Sequence, residues 1–271
     1  LGGKAPLFAC DDCDLERTAR AIVYGGFANS GQACIAVERV YAHERVYDRL
    51  LERVLVLVGE LRQGDPGRDF VDVGAIIFPG QIDVARRHVE DALKKGARLL
   101  CGGRSVAGPG QFFEPTLLAD CDHTMTVMRE EIFGPIVPFM RVASDDEAIA
   151  LANDSHLGLN AYVFSRGRSR ARKLAERIEA GSVVVNDVLS NYAAVEAPFG
   201  GIKQSGFGRV HGREALRDMC QRKHLSFDRV APPPRDPFWY PYTAKSFHWL
   251  QRGMRLLFGG GSLAKRIGEL F

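Results

Sequence analysis

The chain reads as an α/β protein built on a largely parallel sheet, and three observations lead there. Short β-rich runs bounded by Gly, Pro or Asp alternate along it with longer segments whose apolar residues recur at helical spacing. Strands separated by helices need crossover connections, which favour parallel pairing. With 271 residues, 46% of them hydrophobic and 25% charged, there is ample apolar material for a sizeable core.

The elements follow in order. Residues 7–9 form a first β-rich run, and an amphipathic helical segment then leads to the turn at Gly31-Gln32. Further β-rich runs lie at 37–42, 73–77, 136–142, 160–165 and 182–186. Between them, Ile82, Ala85, Val89, Ala92 and Leu93 share one helical face, as do Ala171, Leu174, Ala175 and Ile178, so both segments are expected to lie on the sheet. A helical stretch ending near Cys220 precedes Leu225-Ser226-Phe227, whose alternation predicts a late strand with an open, adhesive edge. The expected domains are 1–222, the α/β domain, 223–230, the late strand, and 231–271, a Pro-rich linker and basic amphipathic tail.

Composition excludes several classes. The formal charge is only +3, with arginines dispersed among acids, so nucleic-acid binding has little support. No stretch reaches the roughly 18 apolar residues of a membrane span, and the first residues carry no basic-then-apolar signal pattern. Six cysteines scattered through a long chain fit a reducing, cytoplasmic setting better than a disulfide framework. Cys10-Asp11-Asp12-Cys13 has redox spacing, but the aspartates would raise the thiol pKa values, which favours a plain strand-to-helix turn. The histidines have no clustered partners, so no metal site is expected.

The most telling stretch is Phe27-Ala28-Asn29-Ser30-Gly31-Gln32-Ala33-Cys34, which sets one thiol after a Gly-Gln turn where backbone amides can face the sulfur. Three other segments accompany it: Leu1-Gly2-Gly3-Lys4-Ala5-Pro6, Glu130-Glu131-Ile132-Phe133-Gly134-Pro135, and residues 198–206, PFGGIKQSG. Over about residues 1 to 228, these four boxes together resemble the NAD(P)-dependent aldehyde dehydrogenases.

The resemblance implies a three-layer α/β catalytic domain and a Cys34 nucleophile. It also implies that the chain corresponds to the C-terminal half of such an enzyme, without most of the N-terminal Rossmann domain. The general-base glutamate would then precede Leu1, and an oxyanion-hole asparagine would lie further upstream. A thiolate suits aldehyde oxidation because it can add to the carbonyl carbon and later depart. By the same resemblance Glu131 and Phe133 contact the ribose and nicotinamide of NAD or NADP, while Asn186 and Phe199 border the substrate pocket. Asn186 also reads as a turn-forming asparagine at a strand end. Lys4 is expected to be structural, and Glu38, paired or solvated, is given no catalytic role. An aldehyde substrate and a homodimer or homotetramer are implied. A CoA-acylating relative and a non-catalytic scaffold that keeps the fold remain as alternatives.

Beyond Val230 the pattern of the family stops. Pro232-Pro233-Pro234 forms a stiff spacer, and Phe247, Leu250, Met254, Leu257 and Phe258 then recur at helical spacing beside basic residues, interrupted by Gly253. From residue 232 onward six Lys/Arg face two Asp/Glu. Such a helix packs on its own chain or a partner subunit, or makes peripheral contact with a membrane surface.

Overall fold

A computed structural model describes residues 2–68, 70–231, 234 and 239–268, with the side chains of Leu263 and Lys265 excepted. Leu1 of the first box and Pro232 and Pro233 of the spacer lie outside the described residues. Two compact units are present, residues 1–221 and 222–271.

In the first unit, seven strands form one sheet: β1 (Ala5–Ala9), β2 (Val37–His43), β3 (Arg98–Cys101), β4 (Thr116–Ala119), β5 (Ile136–Val142), β7 (Asn160–Phe164) and β8 (Ser182–Val185). Their spatial order is β3-β4-β5-β2-β1-β7-β8. Every neighbouring pair is parallel except β3 with β4. A short pair, β6 (Leu157–Gly158) with β9 (Ile202–Lys203), stands apart.

Alternation along the strands creates the three layers, because successive side chains point to opposite faces. Leu7, Ala9, Val40 and Ala42 face a core shared with α1 (Leu15–Phe27) and α2 (Glu44–Gly59), which contribute Ile22, Tyr47, Leu50 and Val54. Phe8, Tyr41 and Val163 face the other core. It is covered by α3 (Gly80–Lys94), α4 (Thr126–Arg129), α5 (Asp145–Asn153) and α6 (Arg168–Ala175) through Ala85, Val89, Ala148, Ala171 and Leu174.

Cys10 and Cys13 are buried in the β1–α1 turn, and the adjoining Asp11 and Asp12 are clasped by Arg170, which also pairs with Asp145. Burial pushes both thiols up, the reverse of what a redox pair needs.

Three differences from the sequence reading have physical causes. The β-branched run 73–77 makes only an isolated bridge from Val73 to Gln63. Its carbonyls at Gly74 and Ala75 accept from Ser30 and Gln32, and the Ile77 amide donates to Gln32, so its backbone serves the cysteine turn instead of a ladder. Strands β3 and β4 are absent from the sequence reading because their leucine-rich four-residue runs show no period-2 pattern. Residues 225–227 form no strand, and Leu225 and Phe227 are exposed; a strand needs a partner edge. Before them, α7 spans Gly212–Asp218.

The second unit contains α8 (Ala244–Phe258) and α9 (Leu263–Gly268). Gly253 does not interrupt α8, although an interior glycine costs about 1 kcal/mol relative to alanine. The helix is secured at both ends. Thr243 and Ser246 form a capping box, and Arg266 donates to the otherwise orphaned carbonyls of Leu256 and Leu257. No described helix is long and apolar enough to cross a membrane.

Buried His88 on α3 contacts Thr126 Oγ1 at 3.1 Å. Burial lowers its pKa from 6.5 to about 4. The unfolded chain therefore binds this proton first. The corresponding stability, about 3 kcal/mol, is fully present above pH 6.5 and drains away as pH falls toward 4. Denaturation midpoints measured across that window should fall steeply in the wild type and less so in His88→Asn; equal slopes would assign the acid lability to other groups.

Candidate active site

Helix α1 ends at Phe27, and residues 28–31 make a tight 3-10 turn in which Asn29, Ser30 and Gly31 all have positive φ, at 52°, 59° and 72°. Two non-glycine residues in the left-handed region are costly, so the surroundings must hold them there. Asn29 Nδ2 donates to the Gln32 carbonyl at 3.0 Å, and Gln32 Nε2 donates to the Asn29 carbonyl at 2.9 Å. Ser30 Oγ donates to Gly74 O at 2.9 Å, and Gln32 Oε1 accepts from Ile77 N at 2.9 Å. Gly31 is obligatory, because a Cβ there would stand 2.2 Å from the Gly134 carbonyl oxygen.

This turn delivers Cys34 to the N-terminal edge of β2, half-buried and unpaired in any disulfide. Gly3 crosses directly over it: an added Cβ would lie 1.9 Å from the Cys34 carbonyl oxygen. Burial pushes the Cys34 thiol above the ordinary value, its own backbone amide pulls it down, and the Glu131 carboxylate raises it further.

On one side of the thiol is an apolar wall. Ile35, Leu159 and Phe199 form a buried cluster with Cys34 and Leu189 packed against it. Phe199 is fixed by paired backbone hydrogen bonds with Val210 at 2.7 Å. Its ring meets Tyr192 edge-on at 5.2 Å and His211 at 6.1 Å. A cleft of about 510 Å³ lined by Val23, Tyr24, Phe27, Leu57, Leu61 and Val73 does not include Cys34. Among the described residues no group of three His, Cys, Asp or Glu side chains is placed to hold a metal ion.

The Glu131 loop adjoins the thiol from another direction. Glu131 Oε1 accepts from Gly3 N at 2.9 Å, and burial raises its pKa. Phe133 has φ 49° and a partly exposed ring. Glu131 and Phe133 fit a bound nucleotide: the carboxylate has a second oxygen with which to accept from ribose hydroxyls, and the exposed ring offers a face. Glu130 is exposed.

Asn186 is not brought to this site. It follows β8 at the C-terminal edge of the parallel strands, opposite the edge that carries Cys34. Its amide group is occupied by Ser165, accepting from Ser165 N at 2.9 Å and donating to Ser165 O at 2.8 Å, while its carbonyl accepts from Arg17. The pocket-edge expectation is therefore corrected to that of a strand-end clamp.

Several residues of the wall behind the thiol, and of the aromatic group around Phe199, went unrecognised in the sequence. Ile35, Leu159, Leu189, Tyr192 and His211 carry no motif and are gathered only by the fold. Glu38 left a signal, a charged residue inside the apolar run of β2. It is buried and paired with Lys4 at 2.9 Å.

The chain matches the family model described as "Aldehyde dehydrogenase family" over residues 1–225. It is similar to the 4,4'-diapolycopene aldehyde oxidase of a Methylomonas species, with 39% identity over 98% of this chain and 49% of that protein. It is 38% identical to the NADP(+) succinate-semialdehyde dehydrogenase GabD of Escherichia coli K12, over 83% of this chain and 46% of the relative. Among solved structures, the NAD-dependent aldehyde dehydrogenase of Sinorhizobium meliloti superimposes with a TM-score of 0.81 at 36% identity, covering 86% of this chain and 46% of that one. The chain spans about half the length of the curated relatives it matches.

Proposed function

Because this chain belongs to the aldehyde dehydrogenase family, we propose that it supplies the nucleophile and part of the nucleotide site for oxidation of an aldehyde to a carboxylic acid with NAD or NADP. The observation that carries this reading is the Cys34 turn, where side-chain hydrogen bonds hold a left-handed backbone that delivers a half-buried free thiol to the apolar wall of Ile35, Leu159 and Phe199. Once the thiol has given its proton to solvent, Cys34 Sγ adds to the carbonyl carbon, and the π electron pair moves to oxygen, giving a thiohemiacetal anion. The Cys34 N–H donates to that oxygen; one such donor is worth about 3 kcal/mol in the transition state. NAD(P)+ when bound accepts the hydride that leaves the carbon. Glu131 and Phe133 orient the nucleotide for that transfer, and collapse of the anion leaves a thioester on Sγ. Water then adds and gives one proton to solvent, Sγ departs as thiolate, and the acid is released.

Neither carboxylate of the site serves as the base for that last step. Glu38 is tied to Lys4 and to the Ile132 and Phe133 amides, and Glu131 is committed to Gly3 and the ribose. The 271-residue chain by itself is accordingly expected to sustain no turnover on a panel of aldehydes, forming at most one equivalent of NADH or NADPH per Cys34.

Thiol labelling tests the reading directly. With iodoacetamide, exposed Cys220 should react first, half-buried Cys34 next, and buried Cys10, Cys13 and Cys121 last. Glu131→Gln should accelerate Cys34 severalfold by removing a charge that opposes the thiolate. Labelling of Cys34 as slow as that of the buried cysteines would instead favour a non-catalytic scaffold.

The substrate we infer is a long apolar or aromatic aldehyde. Support comes from the aromatic group of Tyr192, Phe199 and His211, of which Phe199 belongs to the wall that Cys34 packs against, and from similarity to the 4,4'-diapolycopene aldehyde oxidase over 98% of this chain. For that tail we infer peripheral contact with an anionic membrane. Exposed Phe247, Met254, Leu257 and Phe258 share one side of α8, while Lys245, Arg252 and Arg255 occupy the other without any acidic residue. Co-sedimentation with anionic liposomes should be lost on removing residues 232–271; equal sedimentation would remove the idea.

A further inference from the structure

Glu38 is a buried carboxylate that the chemistry above leaves unused. It stands on β2, four residues after the nucleophile and 3% exposed, where an unpaired charge would be strongly unfavourable. Its Oε2 accepts from Lys4 Nζ at 2.9 Å, and the Lys4 side chain is wholly buried. The same carboxylate accepts from Ile132 N at 3.1 and 2.9 Å and from Phe133 N at 2.9 Å. In the reverse direction, Gly3 N, next to Lys4, donates to Glu131 Oε1 at 2.9 Å. The start of β1, the Glu38 carboxylate and the 131–133 loop therefore form a closed ring of hydrogen bonds. Within it Phe133 is held at φ 49°, a backbone conformation that a residue with a Cβ avoids unless something fastens it. The Phe133 N–H is the group fastened.

We infer that Glu38 is a positioning residue of the nucleotide site: by gripping the Ile132 and Phe133 amides it sets the Glu131 carboxylate and the Phe133 ring in the orientation that meets the nicotinamide ribose and ring. This rests on the dehydrogenase reading. The arrangement also makes the nucleotide loop and the nucleophile share one strand, since Cys34 and Glu38 flank the start of β2. Charge-assisted hydrogen bonds to two successive amides are strong and directional, whereas a glutamine at position 38 would keep one acceptor oxygen for the loop but turn its amino group toward the Lys4 ammonium.

The test compares wild type, Glu38→Gln, Glu38→Leu and the double variant Lys4→Met/Glu38→Gln in the native protein. NADH and NADPH binding is measured by titration, alongside the iodoacetamide rate at Cys34. Glu38→Leu is expected to weaken nucleotide binding at least tenfold, and to raise KM for the nucleotide more than it lowers kcat, with Cys34 labelling changed less than about twofold. The double variant, which removes the donor conflict and keeps an acceptor, is expected to recover most of the affinity lost in Glu38→Gln. If Glu38→Leu does not fold, the comparison of Glu38→Gln with the double variant decides. Nucleotide affinity within twofold of wild type in the folded variants overturns the positioning role and leaves the dehydrogenase reading intact. Wild-type protein that binds neither nucleotide overturns both.

Discussion

Lys4→Met is expected to destabilise the first unit by about 3–5 kcal/mol, because it strands the Glu38 carboxylate in a site with almost no access to water. Net stabilities of single domains are of the order of 5–15 kcal/mol, so a loss of this size would move the urea midpoint a long way. Burial outweighs the attraction of Glu38 and brings the Lys4 ammonium down to about 8, so the pair as a whole adds little over two neutral partners. Lys4→Met/Glu38→Gln should therefore recover most of what the single change loses. The check is a double-mutant cycle read by denaturation; additive losses would mean that the two side chains act independently and that the buried pair is not the cause.

Gly3→Ala is the second large effect. Its Cβ would fall 1.9 Å from the Cys34 carbonyl oxygen, and that obstacle is backbone, not a side chain able to swing aside. Either β1 or the nucleophile must move. A displacement near 1 Å at a reacting atom can lower kcat by about a hundredfold, and the Gly3 N–H that orients Glu131 would shift with it. Single-turnover kinetics of the native enzyme, with Cys34 alkylation measured in parallel, should both decline. Wild-type rates in Gly3→Ala would show that the crossing is looser than the geometry implies.

The α/β layering was legible in the sequence because β2, β5, β7 and β8 carry β-branched and aromatic residues, β1 is a short apolar run, and α3 shows an apolar face. Family membership was also readable, since it rests on short contiguous motifs. What escaped depends on contacts between segments remote in sequence. Glu38 meets Lys4 across 34 positions and Ile132 across 94, and no local pattern announces either meeting. Asn186 illustrates the converse: its strand-end position was clear, but only the parallel direction of β8 decides which edge of the sheet it occupies.

Residues 74–77 give up strand pairing to hold the cysteine turn, and they do so entirely through peptide groups: two carbonyls and one amide meet the side chains of Ser30 and Gln32. Backbone atoms are supplied by whatever residue is present. The information needed for this contact is therefore written on one side only. Exposed Ala75 and Ile77 are free to drift through evolution while the contact persists, whereas Gln32 has no substitute that offers both a donor and an acceptor at the same reach. In a saturation library the two halves of the same contact would show opposite tolerances, a conserved residue facing a variable partner with no covariation between them.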